Sequence, residues 1–139
     1  KLYFYWVCRD QGSFQWFTEI IREAQSELGD LLEVNVYLSS VDALGDIRSV
    51  MTHLGLHCYF KKHKVDAITS LASITHYDRP NWGKIFKMLA STHEGERLGV
   101  FFCGPHSLGR TLGVHCAAQN GSVGNRANGT SFVFAKENF

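Results

Sequence analysis

Short continuous hydrophobic runs alternate along this chain with segments whose apolar residues recur at helical spacing. Leu2 to Cys8 is almost entirely apolar or aromatic, which predicts a parallel strand that is buried on both faces. Leu32 to Leu38 alternates and carries valines, and Leu98 to Phe102 and Phe132 to Phe134 predict two further strands. The runs are far enough apart for a helix to connect each strand to the next.

Helical patterns fill the intervals between these strands. Ser13 is a candidate N-cap, and Gly29 marks the end of the first helix. The apolar positions of that helix are Phe14, Phe17, Ile20, Ile21, Ala24 and Leu28. Further helices are predicted over 47–56, 82–89 and 105–118.

This order of elements predicts an α/β fold, with a mostly parallel sheet flanked by helices. The segment 65–75 fits neither the strand nor the helix pattern clearly. No strand is followed by the G-x-G-x-x-G loop that binds a dinucleotide pyrophosphate. The chain starts on Lys1 without a methionine, so we expect the second half of a nucleotide-binding domain, with the pyrophosphate-binding half upstream.

The composition is that of a globular protein and argues against several functions. The chain has 139 residues, of which 45% are hydrophobic and 19% charged, and its formal net charge is +1. A balance this close to neutral gives no general attraction to nucleic acid or to an acidic membrane, and no window is long and apolar enough to cross a bilayer. The four cysteines match no compact disulfide scaffold, which favours reduced thiols in the cytosol.

The segment 57–64 and its surroundings are rich in histidine and lysine. His53 and His57 form a pair at i, i+4 close to Cys58, but no second compact ligand pair completes a zinc site, so no metal is expected. Lys61 to Lys64 is either a solvated loop or a surface that docks cytosolic partners or anionic lipid. A second polar segment, 119–129, is predicted to be a flexible loop because it is rich in Gly, Asn and Ser.

The third predicted strand ends in the turn Cys103-Gly104-Pro105. In open α/β sheets, ligands bind outside the carboxyl ends of the strands, so Cys103 is expected close to any ligand. Three roles remain open for its thiol. It is a nucleophile if a base such as His106 faces it, a small spacer against a planar cofactor ring, or a buried structural thiol.

Arginines occupy other positions next to the predicted strands. Arg9 follows the first strand directly, where a guanidinium can bind a 2′-phosphate with two parallel hydrogen bonds. The alternative interpretation is that Arg9 is an exposed arginine paired with Asp10 or Glu19. Arg97, just before the third strand, is either a second phosphate partner or a solvated residue. For Arg79 the sequence likewise does not decide between contact with a ligand and exposure to solvent.

Five motifs in this order give the chain a family resemblance. They are Phe4-Tyr5-Trp6-Val7-Cys8-Arg9-Asp10, Phe14-Gln15-Trp16-Phe17, Arg79-Pro80-Asn81-Trp82, Gly99-Val100-Phe101-Phe102-Cys103-Gly104-Pro105 and Lys136-Glu137-Asn138-Phe139. Together they resemble the NADPH oxidase family, which includes phagocyte-type enzymes and plant respiratory-burst oxidases. The motifs extend from one end of the chain to the other.

The resemblance implies that residues 1–139 are the C-terminal portion of an NADPH-binding domain of the ferredoxin-NADP reductase type. FAD and transmembrane haem domains are then expected upstream, with this portion on the cytosolic face of the membrane. In such an oxidase, hydride passes from NADPH to FAD and electrons cross through haem to oxygen, giving superoxide. The isolated portion is expected to be inactive. The alternatives are a ferric or metal-chelate reductase of the same superfamily, or a non-catalytic module that binds cytosolic regulatory proteins.

The resemblance also implies roles for individual residues. Those at the adenosine and 2′-phosphate end are Trp6, Cys8, Arg9 and Arg97, and those at the nicotinamide are Cys103, Gly104 and Pro105. Phe139 is expected to cover the flavin ring until the nicotinamide displaces it. Cys103 and Phe139 are therefore the residues expected nearest to hydride transfer.

Overall fold

Two units, Lys1–Pro80 and Asn81–Phe139, make up the computed structural model of this chain. It describes residues 1–9, 12–39, 47–67, 69–121 and 129–137. Every strand pairing in the described residues is parallel.

The first unit is built on a three-stranded sheet. Its elements in chain order are β1 (Leu2–Cys8), α1 (Gly12–Leu28), β2 (Leu32–Leu38), α2 (Ile47–His63) and β3 (Thr75–His76). The strand order is β1-β2-β3, so β2 is the central strand. Leu2 lies opposite Leu32 and the register continues without a break to Cys8 opposite Leu38, which brings the ends of both strands to one edge.

One face of this sheet packs on α1. Val34, Val36 and Leu38 alternate along β2 and form a buried cluster with Ile21 of α1 and Leu71. Val36 has no exposed surface at all. Because side chains alternate between faces along a strand, a valine-rich alternating segment places all its branched side chains in the core.

A buried carboxylate organises the segment between α2 and β3. Asp66 is 2% exposed. One of its carboxylate oxygens accepts hydrogen bonds from the Thr69 backbone N–H (2.9 Å) and hydroxyl (3.2 Å), and the other accepts from the Thr75 N–H (3.0 Å). The Asp66 N–H in turn donates to the Leu71 carbonyl oxygen. These bonds hold the first residue of β3 beside β2 without a long hydrophobic run.

The second unit contains a two-stranded sheet. Its elements are α3 (Trp82–Thr92), β4 (Arg97–Phe102), α4 (His106–Gly121) and β5 (Ser131–Lys136). Both helices pack on one face of this sheet and form a hydrophobic core with it. The buried residues of this core are Phe86, Ala90, Phe102, Leu112, Cys116 and Phe132. On the opposite face Phe101 is 85% exposed.

Close contacts fix α4 against this sheet. A Cβ atom on Gly109 would lie 2.9 Å from the Phe102 ring, so only glycine allows the helix to come this near to β4. At the other end of the helix, the Asn120 amide donates to the Phe132 carbonyl oxygen (2.9 Å) and accepts from the Phe132 N–H (2.8 Å). Thr130 completes the attachment by donating to the Ala90 and His93 carbonyl oxygens of α3 and its C-cap.

The predicted parallel sheet with flanking helices is confirmed, and several details of the prediction are wrong. α2 does not end at residue 56 but continues through Lys61 and Lys62, because lysine is a good helix former and Gly55 alone does not stop a helix. α4 continues to Gly121, since Asn120 bonds to β5 instead of opening a loop. The short strand β3 was not predicted, because two residues show no periodicity.

We expect Asp66→Ala to destabilise the first unit by about 3 kcal/mol or more, because it leaves buried backbone N–H groups without an acceptor. Asp66→Asn should cost less, since its amide oxygen can still accept from Thr69 while its NH₂ faces the Thr75 N–H. Urea unfolding followed by circular dichroism measures both variants. Equal stability of Asp66→Ala and the wild type would contradict the role given to this carboxylate.

Candidate functional site

The turn after β4 places Cys103 on the surface, at the carboxyl edge of the second sheet. Phe102 is buried, whereas Cys103, Gly104 and Pro105 are all exposed. Gly104 has a φ of +149°, and a Cβ atom there would lie 3.2 Å from the Phe102 ring. α4 begins one residue after Pro105, whose carbonyl oxygen accepts from the Leu108 and Gly109 N–H groups. The chain therefore reverses sharply, with its backbone and the thiol open to a ligand.

The exposure of Cys103 removes one of its three predicted roles. A thiol on the surface at a strand end is not a buried structural thiol. Within the described residues, Cys103 makes no hydrogen bond to His106 or to any other basic side chain, so no base is paired with the thiol there. A small side chain next to a ligand is the role that these observations favour.

The C-terminal strand ends at the same edge as Cys103. Phe102 lies opposite Lys136 in the β4–β5 ladder, and the Glu137 N–H donates to the Phe102 carbonyl oxygen (3.0 Å). Glu137, the last described residue, is therefore hydrogen-bonded to the residue that precedes Cys103. Phe139, two positions further on, lies outside the described residues.

The carboxyl edge of the first sheet carries Arg9. The carbonyl oxygen of Cys8 accepts two hydrogen bonds from Ser39, one from its N–H (2.9 Å) and one from its hydroxyl (3.0 Å). This double contact ties the end of β1 to the end of β2. Arg9 follows immediately and is exposed, so a fixed backbone presents a cation to solvent at the end of a parallel strand.

A second arginine follows another strand of this sheet. β3 ends at His76, and Arg79 follows three residues later with an exposed side chain. β3 pairs with β2 in the same direction as β1, so Arg9 and Arg79 both follow carboxyl ends of one sheet. Sequence reasoning left Arg79 ambiguous because β3 is too short to recognise from periodicity.

Arg97 lies at the other end of its strand from Cys103. It is the first residue of β4, rather than the residue before it, and it is exposed. Five residue steps separate it from Phe102, which corresponds to about 17 Å along an extended strand. Arg97 is thus at the amino end of β4.

Trp6 and Cys8 belong mainly to the core of the first unit. The Trp6 ring stacks on Phe17 of α1 with centroids 4.8 Å apart, and both Trp6 and Cys8 pack against the buried cluster of β2. Both side chains are half-buried. Any ligand contact by Trp6 and Cys8 has to use the part of each residue that this packing leaves open.

His76 gives the carboxyl edge of the first sheet a titratable group. Its ring stacks on Tyr37 with centroids 4.6 Å apart. Burial lowers the pKa of His76 below its usual 6.5, and the Asp78 carboxylate partly opposes this shift. Burial also raises the pKa of Tyr37, with a further contribution from Asp78. The stacked pair is therefore neutral at pH 7.

In the described ranges, no cluster of three or more His, Cys, Asp or Glu side chains is arranged to hold a metal ion. Among the same residues, no helix is long and apolar enough to span a membrane.

Comparison with known proteins identifies relatives of this chain. The profile of the ferric reductase NAD-binding domain matches residues 1–117. The chain is 35% identical to NADPH oxidase 3 of Rattus norvegicus, with all of the chain aligned to 23% of that protein. It is 38% identical to respiratory burst oxidase homolog protein F of Arabidopsis thaliana, with 99% of the chain aligned to 14% of that protein. Protein B of Solanum tuberosum is also 38% identical, over 16% of its length. The chain therefore spans less than a quarter of each relative.

We expect the stability of the first unit to fall as the pH drops below 6.5. Because the pKa of His76 is lowered in the folded state, the unfolded chain binds more protons in the window between that pKa and 6.5. His76→Phe keeps an aromatic ring on Tyr37 and should flatten this part of the pH dependence, whereas the exposed His57→Gln should not. Urea unfolding across this pH range is the measurement, and an unchanged profile for His76→Phe would refute the assignment.

Proposed function

Since this chain belongs to the ferric reductase NAD-binding domain family, we propose that it is the NADPH-binding part of a flavin-dependent membrane oxidase. The proposal rests on one observation: the chain is similar along its whole length to NADPH oxidase 3 and to a respiratory burst oxidase. The chemistry supplied by the cofactors is hydride transfer from NADPH to FAD, followed by electron transfer through haem to oxygen, which gives superoxide. The residues of this chain bind and orient the nucleotide.

Arg9 and Arg79 are proposed to hold the 2′-phosphate of NADPH. Both are exposed cations after carboxyl ends of one parallel sheet, which is where dinucleotides bind in open α/β folds. A guanidinium suits this task because it stays charged and donates two parallel hydrogen bonds to a phosphate. The family resemblance implies that Arg97 joins Arg9 at this phosphate, and Arg79 is proposed as a further partner because it follows a strand of the same sheet as Arg9.

The turn Cys103-Gly104-Pro105 is proposed to receive the nicotinamide. Gly104 has no side chain to block a planar ring, and the exposed Cys103 thiol is small and polarizable. The Phe102 ring packs against Gly109, which has no side chain in the way. This contact fixes the start of α4 next to the turn. Cys103 would then position the ring for transfer without forming a bond to it.

Phe139 is proposed to cover the flavin ring before the nicotinamide arrives. Glu137 is the last described residue and is bonded to the strand end that carries Cys103, which supports placing the C-terminus near the reacting groups. An aromatic ring is suited to stack on a flat cofactor.

The remaining parts of the proposed enzyme belong outside this chain. We place the Gly-rich pyrophosphate-binding half, the FAD domain and the transmembrane haem domain upstream of Lys1, and residues 1–139 on the cytosolic face of the membrane. We propose cytosolic regulatory proteins as further partners. A ferric or metal-chelate reductase is the second candidate, because the matching family is that of ferric reductases.

We expect Arg9→Ala combined with Arg79→Ala to reduce the kcat/KM for NADPH by at least about 150-fold in the full-length protein, since charged hydrogen bonds contribute about 1.5–3 kcal/mol each. The kcat/KM for NADH, which has no 2′-phosphate, should change little. Steady-state coenzyme oxidation measures both. Arg97→Ala is the comparison variant: if it alone removes the NADPH preference, Arg97 and not Arg79 is the partner of Arg9.

We expect Cys103→Ala to slow hydride transfer by about tenfold, because a ring that loses its positioning contact reaches the reactive geometry less often. Deletion of Phe139 should change the NADPH-to-NADH preference more than the stability. Stopped-flow reduction of the flavin measures the first effect, and coenzyme kinetics with thermal unfolding measure the second. Unchanged flavin reduction in Cys103→Ala would show that this thiol does not touch the nicotinamide.

A further inference from the structure

Helix α2 is basic and contains no acidic residue. Residues 47–64 contain four Lys and Arg residues, three His and no Asp or Glu, although the whole chain carries a net charge of only +1. Lys61, Lys62 and Lys64 are concentrated at the C-terminal end of the helix, and all three are exposed. In the described part of the chain none of these three ammonium groups has an acidic partner.

The side of α2 that faces solvent is apolar next to these lysines. Met51 is 67% exposed and Leu54 is 56% exposed. Helical spacing aligns them with the exposed Cys58, which lies at i+7 and i+4 from them respectively. Lys61 and Lys62 follow at i+3 and i+4 from Cys58 and so continue the same side. We call the strip formed by Met51, Leu54, Cys58, Lys61 and Lys62 the outer face of α2.

The inner side of the helix is partly covered. Leu56 and Phe60 are half-buried on the side opposite Met51. The helix ends firmly, because Lys64 adopts a left-handed φ of +60° and its N–H donates to the Phe60 carbonyl oxygen (2.8 Å). Among the α2 side chains that the structure describes, Leu56 and Phe60 are the two that are not fully exposed.

Charge and shape limit what can cover this face. A second copy of the chain would bring two helices without acidic residues together, and like charges would repel. A soluble partner that wraps a basic helix in a groove needs both sides of the helix, and one side is already partly covered. A planar anionic surface needs only one side, with apolar side chains entering the interface and lysines contacting phosphate groups.

We propose that the outer face of α2 binds the surface of an anionic phospholipid membrane. The apolar part, Met51 and Leu54, enters the boundary between headgroups and acyl chains, while Lys61 and Lys62 attract the anionic headgroups. This inference goes beyond the proposed nucleotide-binding function and does not depend on it, because it uses none of Arg9, Arg79 or Cys103.

Co-sedimentation of the full chain with phosphatidylcholine vesicles, with and without phosphatidylserine, tests the proposal. We expect binding only to the vesicles that contain phosphatidylserine, and weaker binding as salt rises. Lys61→Gln with Lys62→Gln should reduce the partition coefficient by about 30-fold, since each lysine near an anionic surface contributes about fivefold. The matched control is Lys84→Gln with Lys87→Gln on α3, which removes the same charge from exposed positions and should change binding less than about twofold.

The apolar contribution has its own pair of variants. Met51→Ser with Leu54→Ser should weaken binding by about tenfold, whereas Leu31→Ser with Met88→Ser, which alters other exposed apolar residues, should not. Equal losses in both lysine variants would mean that binding follows net charge, as for an unfolded chain, and would overturn the proposal. So would binding to polyglutamate through Lys61 and Lys62 without binding to vesicles, because the face would then recognise an acidic polypeptide.

Discussion

Parallel strand pairing is the constraint on which the placement of functional groups in this chain depends. Strands that run in the same direction bring their carboxyl ends, and the residues that follow them, to one edge of a sheet. β1 pairs with β2 over its full length up to Cys8, and β4 pairs with β5 up to Phe102. Arg9 and Cys103 are the next residues in each case. Both are exposed, so their positions come from the strands that precede them rather than from contacts of their own.

Buried polar contacts determine how sharply those strand ends are defined. Hydrophobic burial has no preferred direction, and the valines of β2 would tolerate small shifts of their neighbours. Hydrogen bonds have directions and distances. Ser39 fixes the end of β1, Asp66 fixes the start of β3, and Asn120 fixes β5 against α4. The residues proposed to bind the nucleotide thus depend on polar side chains elsewhere in the fold.

Exposed apolar side chains have different meanings in different places. Single exposed residues such as Leu31 are ordinary on a protein surface. Met51 and Leu54 are two exposed apolar side chains on one side of a helix, and they lie in line with two lysines and no acidic residue. A membrane-binding face in this position would attach the first unit to a surface while leaving Arg9 unused, which keeps binding to lipid separate from binding to nucleotide.

The sequence by itself determined the four longer strands, the existence of the helices and the strand-end positions of Arg9 and Cys103, because hydrophobic periodicity and turn residues are local signals. Tertiary structure alone decided that Arg79 follows a carboxyl end of the same sheet as Arg9. β3 has only two residues, and it is held by a carboxylate nine positions earlier in the chain. Such a strand leaves no periodic pattern. Its place depends on hydrogen bonds between groups that meet only when the chain has folded.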